Sequence, residues 1–213
     1  MSISRKLATE KDMLGFYVSG HPLDRYREEL ISFGTVDTEK LLTVKDGREV
    51  RIGGIISAIS LKTDKRGNQM AFVTLEDFKG KAELIIFSDS YEKGKTFIIE
   101  DNIVMLSGRV STRENEAPKI IVSDLFPLDS LADRFKCRLV IKIDEETPEK
   151  KLTAVQKVLA GNSGQTPVMI AARRNGDEYY IRSRSLAVEP KHELLIKLKE
   201  LLGDSGAFLE PPT

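Results

Sequence analysis

The chain of 213 residues holds one cysteine, Cys137, and two histidines, His21 and His192. A single thiol closes no intrachain disulfide, and without CxxC or HExxH spacing the common zinc sites are excluded as well. No sign of charge is in excess: Lys and Arg number 33, as do Asp and Glu. That balance excludes a polycation built for nucleic acid, so any binding face has to be local. Nowhere do about 18 apolar residues run consecutively, and the opening MSISRKLATEKD carries no apolar run behind its charges, which argues against a membrane span or signal peptide. The GxxxxGK[ST] and GxSxG patterns are missing too. The acid pairs Glu28-Glu29 and Glu76-Asp77 are adjacent in sequence and read as surface residues rather than an acid–base pair. His21 sits in a Gly-His-Pro turn without a second histidine or cysteine nearby, and His192 lies on the polar side of a leucine-striped helix; both read as structural or solvated. A soluble, cytoplasmic, non-catalytic protein without a cofactor is expected.

What is present is a chain long enough for two compact units, with 40% hydrophobic residues to build their cores. Residues 1–47 read as a short helical leader. Thr9 and Asp12 resemble a capping box before a helix with Met13, Leu14, Tyr17 and Val18 on one face, stopped by Gly20. Pro22 suits the first turn of a second helix, LDRYREELISF. From Glu49 the period changes. EVRIGGIISAISLKT reads as a long strand bent at Gly53 and Gly54, QMAFVTLEDF and KAELIIFS as the next two, SDSYEKGKTFII as a helical or irregular connection, and NIVMLSGRVST and PKIIVSDLFPL as two more. The order β-β-β-α-β-β, with a long bent first strand, predicts a five-stranded OB-type barrel over residues 48–130.

Residues 131–213 predict a small α+β domain. CRLVIKID reads as a strand. Thr147 as N-cap and Pro148 as first helical residue open a helix whose Leu152, Val155, Val158 and Leu159 form a stripe ending at Gly161. TPVMIAARR and EYYIRSR join across Asn175-Gly176 as a hairpin, SLAV reads as a further short strand, and KHELLIKLKELL after Pro190 as a second helix stopped by Gly203. The fold class is therefore mixed: leader, barrel, and α+β unit.

An OB barrel presents ligands on strands 2 and 3 and on the loops joining strands 1 to 2 and 4 to 5. The first of these loops carries Lys62, Lys65 and Arg66 against one acid, Asp64. Such a cluster can hold phosphates while a neighbouring ring stacks on a base. With Ala71, Val73 and Leu75 taken as interior, Phe72 points outward as the stacking candidate; the opposite parity would make it core. Phe87 is a second candidate, its side left open because Leu84 and Ile86 compete for the interior. Arg109, Arg113 and Lys119 flank the second loop, diluted by Glu114 and Glu116.

The strings EKDMLGFYVSGHPLDRY, IGGIISAIS, KTDKRGNQMAFVTLEDFKGKAELIIF and SGRVS, followed by an α+β unit, together resemble the C-terminal portion of bacterial DNA polymerase III alpha subunits over nearly the whole chain. The resemblance implies a leader ending a helix-hairpin-helix region, an OB domain associated with single-stranded DNA template, and a terminal domain that binds the clamp-loader tau subunit within residues 137–213. Carried onto this sequence, the OB binding face falls on Lys62, Lys65, Arg66, Asn68 and Phe72. The family's magnesium-holding palm carboxylates have no counterpart in these 213 residues. The resemblance thus implies a polymerase piece without its active site, its partners being single-stranded DNA, tau and the rest of the polymerase chain, with no membrane. Two rival readings use the same residues: a replisome protein-interaction scaffold without nucleic-acid binding, and a stand-alone tRNA-binding OB protein, which leaves the leader and terminal domain without a role.

Overall fold

The computed structural model describes residues 21–113 and 116–212; the capping box and first helix expected before Gly20 lie outside them. The chain divides into two compact units, one containing residues 33–128 and the other residues 25–32 with 129–213.

In the first unit, α2 (Thr38–Leu41) precedes β1 (Glu49–Thr63), β2 (Gln69–Glu76), β3 (Lys81–Ile86), α3 (Ser88–Gly94), β4 (Ile103–Ser111) and β5 (Lys119–Pro127); α1 (Arg27–Phe33) comes before them in the chain. The five strands close a barrel in the order β1-β2-β3-β5-β4, the OB arrangement. Closure depends on β1 serving two neighbours. Its first half pairs with β4 through Ile55, and from Ile55 onward it pairs with β2, with a register shift between Ile56 and Ala58. Gly54 stands at the changeover because a Cβ there would lie 2.5 Å from the Glu76 carbonyl oxygen. The parallel pair β3–β5 seals the barrel. Period-two alternation fills it: Ala71, Val73 and Leu75 of β2, Ala82, Leu84 and Ile86 of β3, and Ile120 and Val122 of β5 are all buried.

Asp77 contradicts its surface reading. It is 7% exposed in the turn after β2. One carboxylate oxygen accepts from the Thr38 hydroxyl at 2.6 Å and the Lys79 amide at 2.7 Å, the other from the Thr38 amide at 2.8 Å. It thus ties the β2–β3 turn to the start of α2, 39 residues away. His21 has the expected turn role: its Nδ1 accepts from the Leu23 amide, and its own amide donates to Asp24.

The second unit contains α4 (Leu131–Arg134), β6 (Arg138–Asp144), α5 (Glu149–Ala160), β7 (Ser163–Arg174), β8 (Asp177–Val188), α6 (His192–Leu202) and β9 (Ala207–Glu210). The sheet order is β8-β7-β6-β9, with β6 parallel to β7 and antiparallel to β9. Successive residues Leu139, Val140 and Ile141 are all buried, so β6 is covered on both faces. Val155 and Leu159 of α5 and Leu194 and Leu198 of α6 supply buried helical stripes.

Three details correct the sequence reading of this unit. Pro148, extended at ψ 140°, is the N-cap of α5. Thr147 is instead occupied with Asp144, its hydroxyl donating to the carboxylate at 2.7 Å and accepting from the Asp144 amide at 3.0 Å. SLAV is not a separate strand but the end of β8, after an irregularity opposite Pro167–Met169. The tail segment AFLE is a strand, β9, paired with β6.

Glu29 also departs from its surface reading. It is 2% exposed and faces Lys199 of α6, itself 7% exposed. The Lys199 ammonium lies 2.8 Å from the Glu29 carboxylate and also donates to the Arg25 carbonyl. Burial pushes the Glu29 carboxyl upward, and Lys199 opposes that shift. A carboxyl raised in the folded state stabilises below its unfolded value, and that contribution is lost as pH rises through its folded value. Lys199→Met therefore destabilises this unit by about 3–5 kcal/mol at neutral pH, because an unpaired buried carboxylate remains. Urea unfolding should show the deficit shrinking as pH falls from neutrality, because burial makes Glu29 take its proton more readily than a free carboxyl, and the double variant Glu29→Leu/Lys199→Met recovering most of it.

Candidate nucleic-acid interface

The loop between β1 and β2 is organised by its one acid. Asp64 Oδ1 accepts from the Arg66 amide at 2.8 Å and the Asn68 amide at 2.9 Å, and its backbone N–H donates to the Asn68 carbonyl at 2.8 Å. The Asn68 side-chain amide closes on the second carboxylate oxygen at 3.3 Å. These bonds, first among them that from the Asn68 backbone, hold the Asp64 carboxyl below its usual value. Gly67 takes φ +86° to complete the turn. Asp64 therefore shapes the basic loop as well as diluting its charge, and the side chain of Asn68 is used in holding it. Lys62, Lys65 and Arg66 are exposed around this turn.

Outward parity carries the site from the loop onto the barrel wall. Lys62 pairs with Met70, and two residues along, Ser60 pairs with Phe72. Phe72 is 38% exposed while its neighbours Ala71 and Val73 are buried, which places its ring on the outer face. The row continues across the sheet from Phe72 to Ile85, from Ile85 to Ile121, and from Ile121 to Arg109. Ile85 and Ile121 are half-buried and Arg109 is exposed. A ring, two aliphatic side chains and a guanidinium thus occupy one transverse row.

The remaining candidates fall elsewhere. Phe87 lies beyond β3, as the N-cap of α3, and is 48% exposed. Arg113 is exposed in the loop after β4. Lys119 is held by two carboxylates, Glu83 at 3.0 Å and Glu116 at 3.2 Å, and the bond it donates to Glu83 leads in raising its ammonium. Two carboxylates thus share its charge. Asp89 and Glu92, with Lys93, line a cleft of about 630 Å³ beside Asn68 and Gln69, so the charge there is mixed, whereas the Lys62–Arg66 side carries three cations and one acid. Reading residues along the chain missed Ile85 and Ile121; the period-two rule applied across neighbouring strands would have found them.

A larger cleft of about 710 Å³ lies in the second unit, with Lys142, Lys151 and Arg173 set among Asp144, Glu146 and Glu178. Its mixed signs select no ligand of one charge. Cys137 is half-buried, and burial pushes its thiol upward, away from the reactive thiolate. Among the described residues no cluster of His, Cys, Asp and Glu could hold a metal ion, and no helix is long and apolar enough to cross a membrane.

Comparison with known proteins agrees with this geometry. A family model described as an OB-fold nucleic acid binding domain matches residues 50–128, the barrel. DNA polymerase III subunit alpha of Borreliella burgdorferi is 31% identical over 206 residues, covering 93% of this chain and 18% of that protein. Nearly the whole chain is thus similar to the C-terminal region of DNA polymerase III subunit alpha. The subunit from Haemophilus influenzae is 28% identical over 207 residues, with 94% of this chain and 18% of that one covered. The one from Saccharopolyspora erythraea is 32% identical over 213 residues, with 95% and 18% covered. The chain thus spans 18% of the length of these curated relatives. The resemblance to DNA polymerase III alpha subunits seen in the sequence holds along both units.

The loop geometry yields a direct test. Asp64→Ala removes the acceptor of the Arg66 and Asn68 amides, so both should exchange with solvent markedly faster, while the barrel's melting midpoint stays nearly unchanged because the side chain's bonds are all local to the loop. Slow exchange retained at both amides would show that the turn is held by its backbone alone.

Proposed function

We propose that the barrel binds single-stranded DNA as the template-associated module of a DNA polymerase III alpha subunit, and that the terminal unit docks on the clamp-loader tau subunit. The observation that carries the first part is the Phe72 row beside the Lys62–Arg66 loop: an exposed ring and aliphatic platform next to cations that are not neutralised as Lys119 is. Bases stack on Phe72 and lie over Ile85 and Ile121, while Lys62, Lys65, Arg66 and Arg109 track phosphates. Stacking and phosphate contacts read no base edges, so sequence preference is low and salt dependence appreciable. The second part rests on the correspondence of the terminal unit with the end of the alpha subunit. The remainder of the polymerase chain supplies the catalytic carboxylates and delivers template to the barrel at high local concentration.

The competing reading is a scaffold whose barrel binds no nucleic acid. The carboxylates around Lys119 and the overall charge balance favour it.

Fluorescence anisotropy with a labelled single strand at several salt concentrations separates the two readings. Replacing Lys62, Lys65 and Arg66 together by Ala should weaken binding and reduce the slope of log K against log salt by about 2, at roughly 0.7 per lost phosphate contact on a single strand. An unchanged slope removes the loop from the site, and no binding by the parent chain at low salt selects the scaffold.

Phe72→Ala should cost about 1–3 kcal/mol of single-strand affinity, the worth of one stacked base. Because the ring is on the outer face, the thermal midpoint should hardly move. A large drop in midpoint would place Phe72 in the core instead.

A further inference from the structure

β8 is an edge strand of the second unit's sheet: it pairs with β7, and no other strand of the described residues lies along its outer side. In an antiparallel ladder every second residue turns its N–H and C=O away from its partner, so the outer side of β8 presents main-chain donors and acceptors to solvent. Natural edge strands are kept short, charged or bulged against pairing. Here the stretch Asp177–Arg182 is in continuous register with β7, and the irregularity comes only after Arg182. Within that open stretch Tyr179, Tyr180 and Ile181 are 52%, 55% and 55% exposed. Successive strand residues face opposite sides, so apolar surface is offered on both faces of the edge.

Charge narrows what such an edge accepts. The acids at its start stand opposite cations in the hairpin register, Asp177 across from Arg174 and Glu178 across from Arg173, and Glu178 also accepts from the Tyr180 hydroxyl at 3.0 Å. Arg182 stands opposite Met169. Neither Arg182 nor Arg184 forms an ion pair among the described residues, and both are exposed. The uncompensated charge of the edge is therefore positive and lies at its C-terminal end.

We infer that β8 is a strand-addition site for an extended partner segment that alternates apolar residues along Tyr179–Ile181 and places carboxylates beside Arg182 and Arg184. Main-chain hydrogen bonds provide the affinity and the alternating side chains the selectivity, as in other β-augmentation sites. A second copy of β8 is the poorer occupant, because its acids are already apposed to Arg173 and Arg174. This inference is independent of what the barrel binds.

The test uses the whole chain and a fluorescein-labelled ten-residue peptide alternating valine and threonine, with two glutamates at one end. Saturable binding is expected, weakened at least about tenfold when lysines replace the glutamates, and likewise in the Arg182→Glu/Arg184→Glu variant, a difference of 1.4 kcal/mol or more. These arginines are exposed, so the variant's melt should match the parent's. Backbone N-methylation of the peptide supplies a readout that leaves the protein untouched: methyl groups at residues of one parity should abolish binding, and at the other parity leave it intact. Equal effects of both parities, no saturable binding at millimolar peptide, or a concentration-dependent dimer abolished by the charge reversal would each overturn the assignment, the last giving the edge to a second copy.

Discussion

The first unit depends on one strand being shared between two neighbours. β1 leaves β4 and joins β2 around Ile55, and without that exchange the five strands would form an open sheet with two unprotected edges. The exchange requires close backbone approach, which is why Gly54 faces the Glu76 carbonyl with no room for a side chain. It also determines where the site lies. Past the end of the β2–β3 ladder at Ala71, β1 and β2 stay paired through Lys62–Met70 and Thr63–Gln69, so the loop lies just beyond that ladder and the outward residues Ser60 and Lys62 meet Phe72 and Met70.

That geometry changes the meaning of charge in this chain. Equal numbers of acids and bases conceal a local asymmetry that only the barrel creates. Lys119 and Lys62 look alike in the sequence. The parallel pairing of β3 with β5 sets Lys119 opposite Glu83 and neutralises it, whereas Lys62 stands opposite an uncharged Met70. Arg109 is remote in sequence from the loop cluster, but three ladders carry it into the row of Phe72. The acid inside the cluster, Asp64, has a role opposite to simple dilution, since it fixes the turn that displays Lys65 and Arg66.

What was legible in the sequence follows from the range of the interaction involved. Alternation in QMAFVTLE and KAELII is a local signal, and it located the barrel strands and the outward face of Phe72. Asn175-Gly176 predicted its hairpin because both residues must take positive φ, and they do, at 52° and 89°. Asp77 and Glu29 were misread because their partners, Thr38 and Lys199, lie 39 and 170 residues away. No local pattern distinguishes a carboxylate that will be buried against a distant cation from one that stays in water. The N-cap of α5 was misplaced by one residue for a related reason: Thr147 has the chemistry of a cap, but Asp144 claims its hydroxyl first. The strand AFLE was missed because four residues carry too little periodicity, and its place is assigned by the buried β6 edge it covers.

The second unit shows how burial decides the use of each strand. β6 is surrounded by β7, β9 and two covered faces, so its residues Leu139, Val140 and Ile141 serve only packing. β8 at the other end of the same sheet has β7 as its one neighbour among the described residues, and its Tyr179, Tyr180 and Ile181 retain more than half of their surface in water. Leaving three large apolar side chains in solvent forgoes burial worth about 1.5–3 kcal/mol for each aliphatic or aromatic side chain. A stable hairpin can bear that loss because its register is fixed elsewhere, by the positive-φ turn at one end and by buried Val188 near the other. The exposed middle is thereby held extended before anything binds, so a pairing segment would lose chain entropy on its own side of the contact only.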